Sequence, residues 1–229
     1  MPGTISVIVP ALDEAHGIAR CLEALAPLRA LGHEVVVVDG GSADATRALA
    51  APLADRVLEA PRGRARQMNA GAAAARGDVL LFLHADTRLP PRAERAVLAA
   101  LAGGAHAWGR FDVAIDSRSP LLALVGFFTS LRSRLTGIAT GDQAIFARRD
   151  ALERAGGFPD IALMEDVAFS ARMKRLSRPA CLRERVLTSD RRWRRHGTLP
   201  TILLMWRLRL AYFLGADPEE LARRYAKPG

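Results

Sequence analysis

The sequence has 229 residues, of which 50% are hydrophobic and 25% are charged, a balance that excludes a disordered chain and predicts one globular domain. The formal net charge of +9 comes almost wholly from arginine and predicts an anionic partner, such as a nucleotide or an acidic lipid. Nucleic acid is not expected, because the sequence has neither an aromatic-interleaved RNA-binding motif nor zinc-finger spacing.

The N-terminus has no basic segment followed by an apolar run and a cleavage site, so a cytoplasmic location is expected. Cys21 and Cys181 lack the spacing of a metal or redox motif and are predicted to be buried free thiols. No stretch reaches the roughly 20 apolar residues that span a bilayer. Residues 120–131 and 199–214 form shorter apolar runs, which predict core helices or, as the alternative, helices on a membrane surface.

Short apolar runs alternate with helical segments over residues 1–90, as in parallel sheets with crossover helices. The predicted strands are residues 5–9, 34–38, 56–58 and 79–83. The predicted helices are residues 15–28, 44–53 and 64–75. The strands are almost continuously apolar, which predicts a sheet that is covered on both faces.

The alternation becomes less regular after residue 91. The predicted elements there are a helix to about residue 101, a strand at 108–115, a helix at 120–131, a strand at 144–148, a helix at 167–176 and helix over the last thirty residues. The chain shows no internal repeat or linker, so a single domain is predicted.

Candidate ligand-binding residues follow three of the predicted strands directly. Pro10 and Glu14 follow the first strand, Asp39 follows the second, and His84 and Asp86 follow the fourth. Ligands in such sheets bind outside the carboxyl ends of the strands. These residues are therefore expected to meet at one edge of the sheet.

Two segments near this edge suit a phosphorylated ligand. Asp39 precedes two glycines, which allow a tight turn and a close approach of the backbone to a ligand. Arg64, Arg66 and Asn69 lie on the first turns of a predicted helix, where a phosphate would be favoured. The alternatives are an ordinary turn capped by Asp39 and a solvated basic helix face.

The fourth strand delivers His84 and Asp86, which are two residues apart and expected to face the same side of an extended segment. Asp86 could bind a hard divalent ion, Mn²⁺ or Mg²⁺, that bridges diphosphate oxygens. His84 could hydrogen-bond the ligand or bind a softer metal. The alternative is an ordinary strand end.

Two later segments could complete the site. Glu165 and Asp166 precede a predicted helix and could cap it, or one of them could act as a general base. Residues 191–196 hold a dense basic run around Trp193, which predicts either surface decoration or a flap that orders over an anionic ligand.

Taken in order, these segments resemble the family 2 glycosyltransferases, which are inverting enzymes with the GT-A fold. The matching segments are residues 6–10 with Glu14, 38–42, 63–71, 82–86, 156–158 and 165–166. Asp13 replaces the usual Asn of the first motif, Gly40 replaces the second Asp of the next motif, and His84 replaces the first Asp of the Asp-x-Asp metal motif.

The resemblance implies an α/β GT-A fold with a mostly parallel sheet and a helical C-terminal segment, in one domain with a donor half at residues 1–90 and an acceptor half at 91–229. It implies that Asp86 holds Mn²⁺ or Mg²⁺ and that Asp166, beside Glu165, is the catalytic base. The implied donor-binding residues are Pro10, Glu14, Asp39, Arg64, Arg66, Asn69, His84, Ala85, Asp86, Arg192 and Trp193. The implied acceptor-binding residues are Gly141, Asp142, Gln143, Gly157 and Phe158.

The expected reaction is transfer of one sugar from a nucleotide diphosphate sugar to a hydroxyl acceptor. UDP is the commoner nucleotide in the family, and the acceptor could be lipid-linked, at the inner face of a membrane. Residues 141–143 and 189–193 are similar to a small bacterial, non-processive branch.

Two other functions fit parts of the sequence. A sugar nucleotidyltransferase would use a similar sheet, but residues 10–16 lack the glycine-rich loop with arginine that such enzymes carry. A non-catalytic protein that binds a nucleotide or a lipid surface is suggested by the replacements at Gly40 and His84.

Overall fold

One sheet of eight strands organises the protein, whose computed structural model describes residues 3–226. In chain order the strands β1 to β8 are Ile5–Ala11, Glu34–Asp39, Arg56–Glu59, Val79–Phe82, Thr87–Arg88, Trp108–Asp116, Phe146–Arg148 and Ala180–Ser189. Their order across the sheet is β3-β2-β1-β4-β7-β6-β8-β5. The predicted α/β fold is confirmed.

Parallel pairing joins β3, β2, β1 and β4, and also β6 and β8. The strand β7 lies between β4 and β6 and is antiparallel to both. Because β1, β2 and β4 run in one direction, their carboxyl ends meet at the same edge of the sheet. This edge carries the loops that the sequence singled out.

Helices cover both faces of the sheet. In the described residues, the helices α1 to α11 are Ile18–Glu23, Ala26–Ala30, Thr46–Ala50, Arg64–Ala74, Ala93–Ala102, Pro120–Thr136, Arg149–Arg154, Glu165–Met173, Arg191–His196, Thr198–Phe213 and Pro218–Ala226. A 3₁₀ turn spans Gly141–Gln143. Within residues 3–226, none of the helices combines the length and the apolar character needed to cross a bilayer.

The central strands are buried on both faces. Val7 and Val9 of β1 pack in one apolar cluster with α1, whereas Ile8 packs in the other cluster with Met68 of α4. All three valine and isoleucine side chains are fully buried. This two-sided burial explains why the strand sequences are continuously apolar instead of alternating.

Several elements differ from the prediction. The helix predicted over the last thirty residues is divided into α10 and α11, the strand predicted at 144–148 is limited to Phe146–Arg148, and β5 and α7 were not predicted. The helix expected at residues 15–28 is divided into α1 and α2, because Pro27 has no N–H with which to continue the hydrogen-bond ladder of α1. The strand β8 was not predicted, because its charged centre bulges out of register: Phe111 pairs with Leu182, but Asp112 pairs with Arg185.

The two cysteines are free, as predicted. Cys21 is buried, and burial raises the pKa of its thiol to about 12. Cys181 is only partly buried, so the expected burial is wrong for this residue.

Close packing of β6 against its neighbours depends on Gly109. A Cβ atom at this position would overlap the carbonyl oxygen of Ala180 and would lie 2.5 Å from Cζ of Phe146. The backbone of β6 could not keep its pairing with β8 if a side chain were present.

We predict that Gly109→Ala lowers the free energy of unfolding by about 1 to 3 kcal/mol, the usual cost of overpacking a core. The matched control is Gly103→Ala at the end of α5, where an added Cβ meets nothing within 4 Å. Urea denaturation of both variants measures the difference. Equal stability of the two variants would contradict this account of the β6–β8 contact.

Candidate active site

The loops that follow β1 and β2 are hydrogen-bonded to each other. The backbone N–H of Asp13 donates to Oγ of Ser42 at 2.9 Å, and the N–H of Ala43 donates to Oδ1 of Asp13 at 2.8 Å. The loop after β4 adjoins them, since Asp86 and Glu14 line one crevice. Burial and then the charge of Glu14 raise the pKa of Asp86. The three loops therefore form one edge, as the sequence predicted.

Asp39 stabilises its own turn in this structure. Its buried carboxylate accepts the N–H groups of Gly41 and Ser42, both at 2.9 Å, and the hydroxyl of Ser42. Gly41 has a φ of +88°, which allows the turn. Pro10 is buried within β1, opposite Val38. The geometry of Asp39 matches the turn-capping alternative for this motif.

Arg64, the first residue of α4, is the cation at the centre of the site. Its Nη1 atom lies 3.8 Å from Oε1 of Glu165. Burial lowers the pKa of the guanidinium, but Glu165, then Tyr225, Asp166 and Asp86 raise it by more. The side chain thus sits in the field of carboxylates from α8 and from the loop between β4 and β5.

The other two candidate ligand-binding residues of α4 have different partners. Nε of Arg66 donates to Oδ1 of Asp160 at 2.8 Å on the surface. Asn69 holds the backbone of Phe158 from both sides: Nδ2 donates to its carbonyl at 2.8 Å, and Oδ1 accepts its N–H at 2.9 Å. The structure places neither residue beside Arg64 and its carboxylates.

Gly157 and Phe158 belong to the packed support of the site. Gly157 has a φ of +67°, and a Cβ there would lie 2.7 Å from Oδ1 of Asn69. The Phe158 ring is buried and stacks on Phe169 with a centroid distance of 4.0 Å. Its inner edge lines a small cavity shared with Glu165.

His84 and Asp86 do not face the same side, which corrects the expectation from their spacing. The strand β4 ends at Phe82, and a turn closed by the N–H of Thr87 and the carbonyl of His84, at 3.0 Å, follows it. The turn removes the alternation of an extended segment. His84 lines the small cavity, whereas Asp86 and the buried Ala85 line a larger crevice with Glu14.

His84 packs against the 3₁₀ turn. A Cβ at Gly141 would lie 2.5 Å from Nε2 of His84, so the imidazole occupies the space that a side chain would need. Burial and then the charge of Arg64 lower the pKa of His84 to about 3, which leaves the ring neutral.

Asp86 has the chemistry of a ligand for a divalent cation. Within residues 3–226, the hydrogen bond that its side chain accepts from another residue is that of the Thr87 hydroxyl, at 3.4 Å, which leaves lone pairs for a ligand. A carboxylate of this kind suits an ion that takes its other oxygen ligands from phosphates. In the same part of the chain, no three His, Cys, Asp or Glu side chains are grouped to hold a metal.

Glu165 and Asp166 begin α8. The N–H of Gly141 donates to Oδ2 of Asp166 at 2.8 Å, and the N–H of Val167 donates to Oδ1 at 2.7 Å. Burial raises the pKa of Asp166. Burial and the charge of Asp166 together raise the pKa of Glu165. Both carboxyls are thus shifted toward the range of a general base.

The rest of the 3₁₀ turn is mainly structural. Gln143 is fully buried, and its side chain and that of Thr140 form a capping box. Nε2 of Gln143 also donates to the carbonyl of Phe111 at 3.3 Å. Oδ1 of Asp142 is buried and has no hydrogen-bond partner within residues 3–226.

The basic run forms α9, beside the crevice. Arg192 lies over the ring of Tyr225, 3.6 Å from its centroid, and its Nη2 donates to the Tyr225 carbonyl at 3.3 Å. Trp193 is partly buried on the same short helix. Arg191 instead reaches Glu14, with 2.6 Å between Nη2 and Oε1.

Sequence reasoning assigned no role to Arg191 or Tyr225. Arg191 adjoins Arg192 in the same basic run, but its partner Glu14 lies 177 residues away along the chain. No motif or spacing marks this contact. Only the folded position of α9 shows that Arg191 and Arg194 are the arginines of this run that line the crevice.

Solved structures of glycosyltransferases share this fold. The mannosyltransferase PcManGT of Pyrobaculum calidifontis, determined with GDP-Man and Mn²⁺, is 22% identical with a TM-score of 0.66, over 99% of this chain and 70% of that chain. TarS of S. aureus, determined with UDP-GlcNAc, is 20% identical with a TM-score of 0.65, over 81% of this chain and 58% of that chain. The molecule has the GT-A fold of glycosyltransferases.

The family is also established. The family model described as Glycosyl transferase family 2 matches residues 6–155, so the chain belongs to glycosyl transferase family 2. The succinoglycan biosynthesis protein ExoO of Rhizobium meliloti (strain 1021) is 40% identical over 123 residues, which are 50% of this chain and 35% of that protein. The chain thus spans little more than a third of this relative's length.

We predict that Asn69→Ala lowers the free energy of unfolding by about 2 kcal/mol, because the buried backbone of Phe158 loses two hydrogen bonds. The control is Arg66→Ala on the same helix, which removes an exposed ion pair worth no more than about 1 kcal/mol. Denaturant titration compares the two variants. A smaller loss for Asn69→Ala than for Arg66→Ala would show that the Asn69 contacts do not support the site.

Proposed function

We propose that the chain transfers one sugar, with inversion, from a nucleotide diphosphate sugar to an acceptor hydroxyl. The donor is proposed to be a UDP-sugar. The observation that carries this proposal is the position of Arg64: its guanidinium lies 3.8 Å from Glu165, and the charges of Asp166 and Asp86 also act on it. The structures determined with UDP-GlcNAc and with GDP-Man support a nucleotide sugar as the donor class.

On the donor side, Arg64 suits a diphosphate. Its guanidinium is always charged and offers planar donors that match phosphate oxygens. A leaving diphosphate gains negative charge as the bond to the sugar breaks, so a fixed cation there favours the transition state over the bound donor. Asp86 would hold Mn²⁺ or Mg²⁺, which when bound neutralises charge on the diphosphate.

On the acceptor side, Asp166 suits the general base. Each of its oxygens accepts one backbone N–H and keeps a lone pair for a proton. The two backbone contacts fix the direction of the carboxylate. Burial raises its pKa, so the carboxylate takes up a proton more readily than an exposed one. Inversion by direct displacement needs such a group opposite the leaving diphosphate, and Asp166 lines a different cavity from Asp86.

The acceptor is proposed to be lipid-linked, and the enzyme is proposed to act at the inner face of a membrane through peripheral contact of α10. Support comes from exposed apolar side chains on this helix, including Leu203, Trp206 and Leu210. The other side of α10 packs on α8 through Leu208 and Val167, so the helix with these exposed side chains adjoins the helix that carries Asp166.

We predict that Asp86→Asn lowers metal-dependent affinity for UDP by about tenfold or more, because the amide is a weaker ligand and carries no charge. Calorimetric titration of UDP with Mn²⁺ and with a chelator measures the effect. Asp150→Asn, which changes a surface carboxylate, is the control. Affinity that is unaffected by chelator or by Asp86→Asn would remove the metal from the proposal.

We predict that Asp166→Asn lowers kcat by about 10² to 10⁴, the usual effect of losing a positioned base, with little change in UDP affinity. Glu165→Gln is the matched neighbour and should be milder. Transfer is measured after acceptor screening, and donor hydrolysis gives a second rate. If Glu165→Gln abolished activity and Asp166→Asn preserved it, the base would be Glu165.

A further inference from the structure

Exposed apolar side chains are concentrated on two helices. Of the fourteen large hydrophobic side chains that are exposed in residues 3–226, five lie on α6 and five lie on α10. Single exposed apolar residues are normal on any protein, but a concentration of this kind marks an interaction surface.

The apolar residues of α10 form one stripe. The α10 stripe consists of Leu199, Leu203, Trp206, Leu210 and Phe213, each between 55% and 70% exposed. Their spacing of four, three, four and three residues places them on one side of the helix. The opposite side of α10 is anchored, because Leu208 is buried in a small core with Leu163 and Met164. The stripe is therefore held facing outward.

The helix α6 is divided in the same way. Its inner side is buried against β6, where a Cβ on Gly126 would lie 2.9 Å from the carbonyl oxygen of Val113. Its outer side exposes Phe127 and Phe128, each 55% exposed. The two helices are near each other, because Ile138, which follows α6, packs against the small core that contains Leu208 of α10.

Positive charge is concentrated in the same two segments. Residues 118–136, which include α6, contain three arginines and no carboxylate. Residues 191–214, which include α9 and α10, contain six arginines and no carboxylate. Together they equal the formal net charge of +9. Three of these arginines, Arg134, Arg191 and Arg194, form ion pairs with carboxylates outside the two segments.

We infer that α6 and α10 form one docking surface for a membrane that contains anionic lipids. Apolar and aromatic side chains beside arginines are the combination that binds the interface of an acidic bilayer. A second copy of the chain would bring the same arginines face to face, which opposes self-association through this surface. The inference rests on the proposed function in one respect: a membrane surface would hold the lipid-linked acceptor.

Trp206 provides a direct probe, because the other two tryptophans are less exposed: Trp108 is fully buried, and Trp193 is partly buried. We expect the fluorescence of Trp206 to shift to shorter wavelength on addition of phosphatidylcholine vesicles that contain phosphatidylglycerol. Vesicles of phosphatidylcholine alone should give a weaker shift, and salt should reduce the binding.

Variants separate the apolar and charged contributions. Leu203→Gln with Leu210→Gln, and separately Phe127→Gln with Phe128→Gln, should each lower vesicle binding by about tenfold or more. Arg195→Gln with Arg207→Gln should lower it by about fivefold for each arginine removed. The matched control is Arg20→Gln with Arg95→Gln, which removes the same charge from exposed positions outside α6 and α10.

Three results would overturn the inference. One is a lack of binding to acidic vesicles at low salt. Another is an equal loss in the two double arginine variants, which would show attraction by net charge alone. The third is a concentration-dependent dimer that the Leu203 and Leu210 substitutions abolish, which would make the surface a self-interface. Calorimetry with UDP on the same samples tests the donor site separately.

Discussion

The site depends on one electrostatic arrangement, in which a single arginine faces carboxylates from separate elements. Arg64 begins α4, Asp86 follows β4, and Glu165 and Asp166 begin α8, so carboxylates from distant parts of the chain act on one guanidinium. Carboxylates that share a partly buried site repel one another, and burial already disfavours their charged forms. Arg64 offsets this repulsion, and it is also the group that a diphosphate would bind.

Much of the surrounding structure positions this arrangement. Asn69 holds the backbone of Phe158, and the Gly141 N–H directs the Asp166 carboxylate. His84 takes a comparable position, because its neutral ring fills the space above Gly141 and lines the cavity of Asp166. His84 stands where the family motif has an acidic residue. It packs against Gly141 and lines the cavity of Asp166, whereas Asp86 faces the crevice.

The sheet could be predicted from the sequence because strands that are buried on both faces are continuously apolar, and here they end in polar residues. The order of the motifs likewise predicted that Arg64 and Asp86 take part in ligand binding. The spacing of residues along the sequence did not predict side-chain contacts that depend on the tertiary fold. It could not show that the turn after β4 separates His84 from Asp86, that Arg66 turns to Asp160, or that Arg191 and not Arg192 reaches Glu14. The strand β8 was not predicted, because a charged bulge interrupts its apolar pattern.

The most direct test of the account compares Arg64→Gln with Arg66→Gln, two arginines on one helix that the sequence alone does not distinguish. Calorimetric titration of UDP in the presence of Mn²⁺ measures both. The structure predicts that Arg64→Gln weakens binding by about tenfold to a hundredfold, through loss of a charged hydrogen-bond donor. Arg66→Gln should change it by no more than about twofold. Equal losses in the two variants, or a larger loss for Arg66→Gln, would contradict the central role of Arg64.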